Sequence, residues 1–217
     1  MQSPRHPATC AQDRADAWHT AIDRLRIPVL EQLHAEGFPV DDRHDGLTAL
    51  HELSRRDHAP FTRDRSMPRT EPWHVITWLL EHGADPNAVT ADASRNTPLT
   101  IAALAREPLA IEALLGGGAD PAIANSHGRT PLRYATRPGY DDTDVGAAMT
   151  ILLLQHGANL GEVVWSEATV MPAVEARLRL HPEICRACAG SLAVGLAAGG
   201  ELATWSADLL ATCGASS

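Results

Sequence analysis

Lysine is absent: all 18 basic residues of this 217-residue chain are arginine. A GC-rich coding background, which also favours the abundant Ala, Gly and Pro, accounts for this. The sharper alternative is an effector delivered into a host cell that avoids lysine-directed modification such as ubiquitination. Phenylalanine and tyrosine are scarce, two of each, which argues for small-residue helix packing over a β-sandwich. Positive charge is in deficit too, with a net charge of −9 and a pI near 5.6. Phosphate binding needs a clustered positive surface, so no nucleic-acid partner is expected. No apolar run approaches a membrane span, the longest, Leu192 to Ala198, stopping at Gly199-Gly200-Glu201. Residues 1 to 10 lack the apolar run of a secretory signal. Four cysteines, Cys10, Cys185, Cys188 and Cys213, form no disulfide-like framework. They read as reduced thiols of a cytoplasmic protein.

Catalytic signatures are missing as well. His51-Glu52-Leu53-Ser54-Arg55 puts Arg where the zinc-protease motif needs its second imidazole, so His51 reads as structural. His181-Pro182-Glu183-Ile184-Cys185-Arg186-Ala187-Cys188 compresses the two halves of the zinc-deaminase signature into one stretch. As a plain metal site, His181, Cys185 and Cys188 lack a fourth ligand, Pro182 interrupts their helix, and Cys213 reaches them only by folding back. Packed small apolar thiols are the expectation there. Gly116-Gly117-Gly118 is a helix end, not a phosphate cradle. No catalytic residue, metal or cofactor is expected.

A repeat is present. Asn96-Thr97-Pro98-Leu99 opens a stretch ending at Gly118-Ala119-Asp120-Pro121. Thr48-Ala49-Leu50-His51 leads likewise to Gly83-Ala84-Asp85-Pro86-Asn87, and Thr130-Pro131-Leu132-Arg133 to Gly157-Ala158-Asn159. Thr accepts a backbone N–H at a helix start, Pro fits the first turn and Gly stops the second helix. One such helix pair cannot bury its apolar face, so copies must stack. The chain therefore divides into a tail (1–12), a stack of about four units (13–160) and a C-terminal helical cap (161–217). The first unit is degenerate, with Trp18, Ile22 and Leu25 on one helical face and Gly37 as its stop. Insertions at 55–72, rich in Arg, and at 138–144, with Asp141, Asp142 and Asp144, lengthen one connection in each unit flanking the middle one. Their opposite charges suit them to pair or to form a second partner site.

From roughly Phe38 to Leu160 the chain resembles an ankyrin-repeat protein. Thr97-Pro98-Leu99 and Thr130-Pro131-Leu132 match its Thr-Pro-Leu-His motif except at the last position, and Thr48-Ala49-Leu50-His51 keeps the His but loses the Pro. The resemblance implies an all-α solenoid of helix pairs with hairpin fingers at residues 40–47, 86–96 and 121–129. It implies a non-catalytic scaffold that binds a protein through its concave face and fingertips. Carried over by position, the binding residues are Glu52, Ile101 and Tyr134, then Arg55, Leu104 and Arg137 one turn on. The tips add Arg43 and His44, Asp92 and Arg95, and His127 and Arg129. Tyr134, as an exposed aromatic beside Arg, and Ile101 are the expected hot spots. A monomer with a protein partner and no membrane partner is expected. The alternative classes are an inhibitor or toxin-neutralising partner that blocks an enzyme's site, and an enzyme using the His181 to Cys188 cluster.

Overall fold

The computed structural model of the chain describes residues 7–55, 71–137, 143–163 and 170–212. The bulk of the two insertions, at 56–70 and 138–142, lies outside the described residues, and so does their expected pairing. Among the described residues, twelve α-helices stack in chain order. They run α1 (Pro7–Asp23), α2 (Ile27–Ala35), α3 (Ala49–Leu53), α4 (Pro72–Glu81), α5 (Pro98–Ala105), α6 (Pro108–Gly116), α7 (Pro131–Ala135), α8 (Thr143–Gln155), α9 (Met171–Leu180), α10 (Pro182–Ala187), α11 (Ala189–Ala198) and α12 (Gly200–Thr212). Thr143 and Asp144, read from sequence as insertion, are the first turn of α8. Cys188 separates α10 from α11, although the apolar spacing from Glu183 to Ala198 would also suit a single helix.

The threonines set the entry of each inner helix. Thr48, Thr97 and Thr130 share one extended conformation, with φ −85°, −81° and −84°. The glycines set the exit of each outer helix. Gly37, Gly83, Gly118 and Gly157 all adopt positive φ, between 83° and 91°. After each, the next N–H returns to the carbonyl five residues back: Phe38 to Leu33, Ala84 to Leu79, Ala119 to Leu114 and Ala158 to Leu153. This is the Schellman closure, which satisfies a carbonyl the helix leaves open. Its presence after α2 shows that α1 and α2 are a repeat in form although the motif has faded.

Between helix pairs, only the first finger carries strands among the described residues. β1 (Arg43–His44) pairs antiparallel with β2 (Leu47–Thr48). The bases of the other two fingers are joined by backbone bonds from Thr90 N–H to Asn96 O at 2.9 Å and from Asn125 N–H to Arg129 O at 3.0 Å. Each finger is tied to the next by one backbone bond, Ala91 N–H to Gly46 O at 3.0 Å and Ser126 N–H to Ser94 O at 2.9 Å.

One apolar core runs the length of the stack. The few aromatics gather at its N-terminal end, where buried Trp18 meets Phe38 at 5.1 Å and Trp78 at 6.4 Å. At the other end, α8 would present an apolar face to water. α9 to α12 cover it: the Ser191 hydroxyl donates to Leu154 O at 2.9 Å, and Trp205 Nε1–H donates to Glu175 at 3.0 Å.

A buried histidine joins the first two full repeats. The Thr48 N–H (3.1 Å) and the Thr48 hydroxyl (2.8 Å) both face His51 Nδ1, so Nδ1 carries the lone pair and Nε2–H donates to Asn96 O at 3.1 Å. This ring is neutral. Burial, with Arg43 nearby, pushes its pKa from the ordinary 6.5 down to about 4. Between those values the unfolded chain binds more protons than the folded one, so folding stability falls as pH drops from 6.5 to 4. The His51 contribution, about 3 kcal/mol, is complete above pH 6.5 and lost toward pH 4. Urea unfolding at pH 7.5 and pH 4 is expected to show this loss in the native chain and not in His51→Thr, a substitution that copies Thr100 of the next repeat.

Packing at the other end makes a second prediction with opposite signs at two glycines of α11. A Cβ at Gly195 would strike the Ser206 hydroxyl and a Leu160 methyl, whereas one at Gly190 meets open space. Gly195→Ala is expected to lower stability by about 1–3 kcal/mol. Gly190→Ala is expected to raise it by up to about 1 kcal/mol. Thermal melts of the two variants check the contrast.

Candidate protein-binding face

The inner helices α3, α5 and α7 and the three fingers form one side of the stack. Two grooves lie there. The larger, about 630 Å³, runs between the first two fingers and α5, with Arg55, Asp92, Ile101 and Leu104 in its lining. The smaller, about 390 Å³, runs between α1, the first finger and α3, and contains His44, Glu52 and again Arg55. The two share Asp45, Leu47 and Arg55, so they are one continuous depression. Leu104 is 39% exposed and Ile101 is half-buried, giving the larger groove an apolar floor beside the charges of Asp92 and Arg55.

The fingertips are rigid by construction. The Asp92 carboxylate accepts from the Thr90 hydroxyl and from the N–H groups of Ser94 and Arg95. The Thr90 hydroxyl, ahead of these amides, holds its pKa below the usual carboxylate value. Asn125 stands five residues before Thr130, as Asp92 does before Thr97, and plays the same part. Its Oδ1 accepts from the N–H groups of His127 and Arg129 at 3.0 and 3.1 Å. At the next turn position all three fingers enter the left-handed region: Gly46 at φ 81°, Arg95 at 50° and Gly128 at 66°. At this position only the middle finger uses a side chain, although the first finger also places Asp45, one residue earlier, at φ 50°.

Tyr134 is a correction. Expected as an exposed hot spot, it is 8% exposed, and its hydroxyl accepts from Asn125 Nδ2 at 2.9 Å. The same amide donates to Asn96 Oδ1 at 2.9 Å. Asn125 therefore anchors the third finger to the second and to Tyr134 of α7, and Tyr134 offers little surface to a partner. Arg43 is exposed, but its guanidinium donates to Val89 O at 2.8 Å and Gly46 O at 3.2 Å, clipping two fingers together. Glu52 is half-buried, with its carboxylate toward His19. His127, Arg129 and Arg137 are exposed outside the two grooves. His19 and Asn125 were missed. The position five residues ahead of the capping Thr was the available signal for Asn125.

The His181 to Cys188 set does not assemble. His181 is exposed and lies 3.3 Å from Glu183. Cys185 is disulfide-bonded, which overturns the reading of four reduced thiols and removes it as a ligand. Cys188 is a free, buried thiol that burial pushes up to about 11, far from a thiolate at neutral pH.

Comparison with known proteins agrees with the repeat geometry. A profile for three copies of the ankyrin repeat matches residues 71–163, and a single-repeat profile matches residues 45–91. Together they span more than half of the chain. The chain belongs to the ankyrin-repeat family. It is similar to the human ARF GTPase-activating protein GIT1, 32% identical over 142 residues, which are 65% of this chain and 17% of that protein. It is also similar to protein lin-12 of Caenorhabditis elegans, 34% identical over 96 residues, 44% of this chain and 6% of that one. Human ARF GTPase-activating protein GIT2 is 32% identical over 106 residues, 46% of this chain and 14% of that one. The chain spans less than a fifth of the length of these relatives. Among the described residues, no helix is long and apolar enough to cross a membrane.

The Asn125 network predicts a graded response. Tyr134→Phe removes one acceptor and is expected to cost about 0.5–1.5 kcal/mol. Asn125→Ala leaves buried polar groups of two fingers open and is expected to cost about 1–3 kcal/mol beyond that. Urea unfolding of both variants measures the difference.

Proposed function

We propose that this ankyrin stack is a non-catalytic scaffold that holds one protein partner along the concave depression between the fingers and the inner helices. The observation that carries this reading is the continuity of the two grooves, with Ile101 and Leu104 on the floor and charged groups around them. Protein interfaces have this anatomy, an apolar centre that excludes water inside a polar rim. The rigid fingers strengthen the reading, because a surface ordered before binding loses little conformational freedom when the partner arrives. The ankyrin-repeat family is mostly non-enzymatic, and its members mediate contacts between proteins. Arg55, Asp92, Ile101 and Leu104 form the proposed centre. His44, Arg95, His127, Arg129 and Arg137 are its outlying contacts, and Tyr134 supports the surface from beneath.

Partner capture by the full chain tests this, with two leucines of similar exposure compared. Leu104 lies in the depression; Leu109, 54% exposed on α6, lies outside it. Leu104→Glu is expected to weaken binding of a captured partner at least tenfold, as measured with the purified pair, and Leu109→Glu to leave it within twofold. Equal effects of the two substitutions would place the interface elsewhere.

A further inference from the structure

At the N-terminal end of the depression, three side chains with metal-ligating atoms converge from three separate elements: His19 of α1, His44 of β1 and Glu52 of α3. One ligand atom of each lies within 4.8 Å of the other two. His19 is the pivot. It is 8% exposed, and its ring stands between two carboxylates, with Nε2 at 3.4 Å from Asp42 Oδ2 and Nδ1 at 3.6 Å from Glu52 Oε1. With Nε2–H directed at Asp42, the lone pair sits on Nδ1, and this buried nitrogen has no hydrogen-bond partner. A lone pair aimed at a carboxylate oxygen is repelled by it unless a positive charge lies between them.

That charge is either a proton or a metal ion, and the geometry separates the two. A proton on Nδ1 would make the Glu52 contact a hydrogen bond, but at 3.6 Å it lies outside hydrogen-bond range, whereas the Asp42 contact at 3.4 Å lies at the outer limit of that range. Two ligands of one tetrahedral zinc, each bound at about 2.0–2.2 Å, stand roughly 3.3–3.6 Å apart. A shared proton would also leave His44 without a part, although its ring lies 4.6 Å from that of His19. The Asp42 contact matches the common arrangement in which a metal-bound imidazole gives its other N–H to a carboxylate. Among the described residues, the groove above the cluster is lined by the carboxylates of Asp23, Asp45 and Glu52 and by the guanidinium of Arg55, a balance that attracts cations.

We propose that His19 Nδ1, His44 and Glu52 bind a divalent transition-metal ion, Zn²⁺ by the chemistry of two imidazoles and one carboxylate, with Asp42 as the residue that positions His19. The fourth position faces the groove and takes water. The ion joins the N-terminal cap, the first finger and the first inner helix, elements otherwise held by packing and single hydrogen bonds. His19 and His44 lie outside residues 45–163, the span that matches the repeat profiles. The site is thus an addition made where the degenerate first unit meets the regular stack, and it does not depend on the partner-binding reading.

The test uses the full chain without a histidine tag, stripped with a chelator and titrated with Co²⁺ and then Zn²⁺. One Co²⁺ per chain with the visible absorption of a tetrahedral site, displaced by Zn²⁺, is expected. His44→Ala and Glu52→Gln, at exposed and half-buried positions, are expected to weaken binding at least tenfold with unchanged circular dichroism. Asp42→Asn is expected to weaken it about 10–100-fold. Zn²⁺ should raise the thermal midpoint of the native chain and not that of His44→Ala. Failure of the native chain to take up either ion would overturn the proposal and leave a proton-bridged pair. Equal uptake by His44→Ala and Glu52→Gln would overturn it by placing the ion elsewhere.

Discussion

A line of buried polar contacts sets the spacing of the repeats. His51 takes two hydrogen bonds from Thr48 of its own unit and gives one to Asn96 at the entrance of the next. Asn96 in turn accepts from Asn125, which also holds Tyr134 in the unit after that. Burial of apolar surface drives the helices together but is non-directional and would tolerate sliding. A buried donor left open costs about 1–3 kcal/mol, so each link enforces one register between neighbours. A second line on the opposite rim repeats the pattern. Asp41 accepts from the Asp85 N–H at 3.1 Å, and Asn87 accepts from the Asp120 N–H at 2.8 Å. Neighbouring units are thus fixed at two points on either side of the helices, which gives the fingers their common direction and the concave side its continuity.

The two ends of the stack solve the same exposure problem with different means. At the N-terminal end large rings cover the first inner helix, with Trp18 fully buried against Phe38 and Trp78. At the C-terminal end the cover is made of small residues closely approached, with Gly195 admitting Leu160 and Ser206, and of polar bonds such as Trp205 to Glu175. Arg179 extends that polar seam, meeting Glu175 at 2.9 Å and Thr212 at 3.1 Å. Phe and Tyr are scarce at the N-terminal end too, and the ring contacts found there among the described residues are made mainly by Trp and His.

What could be read from the sequence was whatever depends on local backbone chemistry. The capping threonines, the prolines after them and the glycines ending α4, α6 and α8 occupy positions where only a few residues fit, so helix pairs and their order were legible. The structural role of His51 was legible from the family's Thr-Pro-Leu-His motif, whose last position the other two units fill with Thr100 and Arg133. Tyr134 was not. The ankyrin resemblance assigns it to the concave side, but the Asn125 side chain that meets its hydroxyl comes from a finger whose path is set by the turn. Cys185 and the division of α10 from α11 likewise depend on how the last helices fold back. The cluster of His19, His44 and Glu52 has no spacing rule at all, since α1 reaches the first finger only through tertiary packing.

The left-handed turn position in the three fingers has a further consequence. Two of them meet that geometry with glycine, and the middle finger meets it with Arg95. A side chain in that region strains the backbone by about 1–2 kcal/mol. Relaxing it would mean breaking the Asp92 turn that also orders Ser94, and Ser94 O is the acceptor that ties the second finger to the third. The guanidinium of Arg95 is therefore displayed by a spring that cannot unload without parting two neighbouring fingers, and any force applied to that tip is passed along the array.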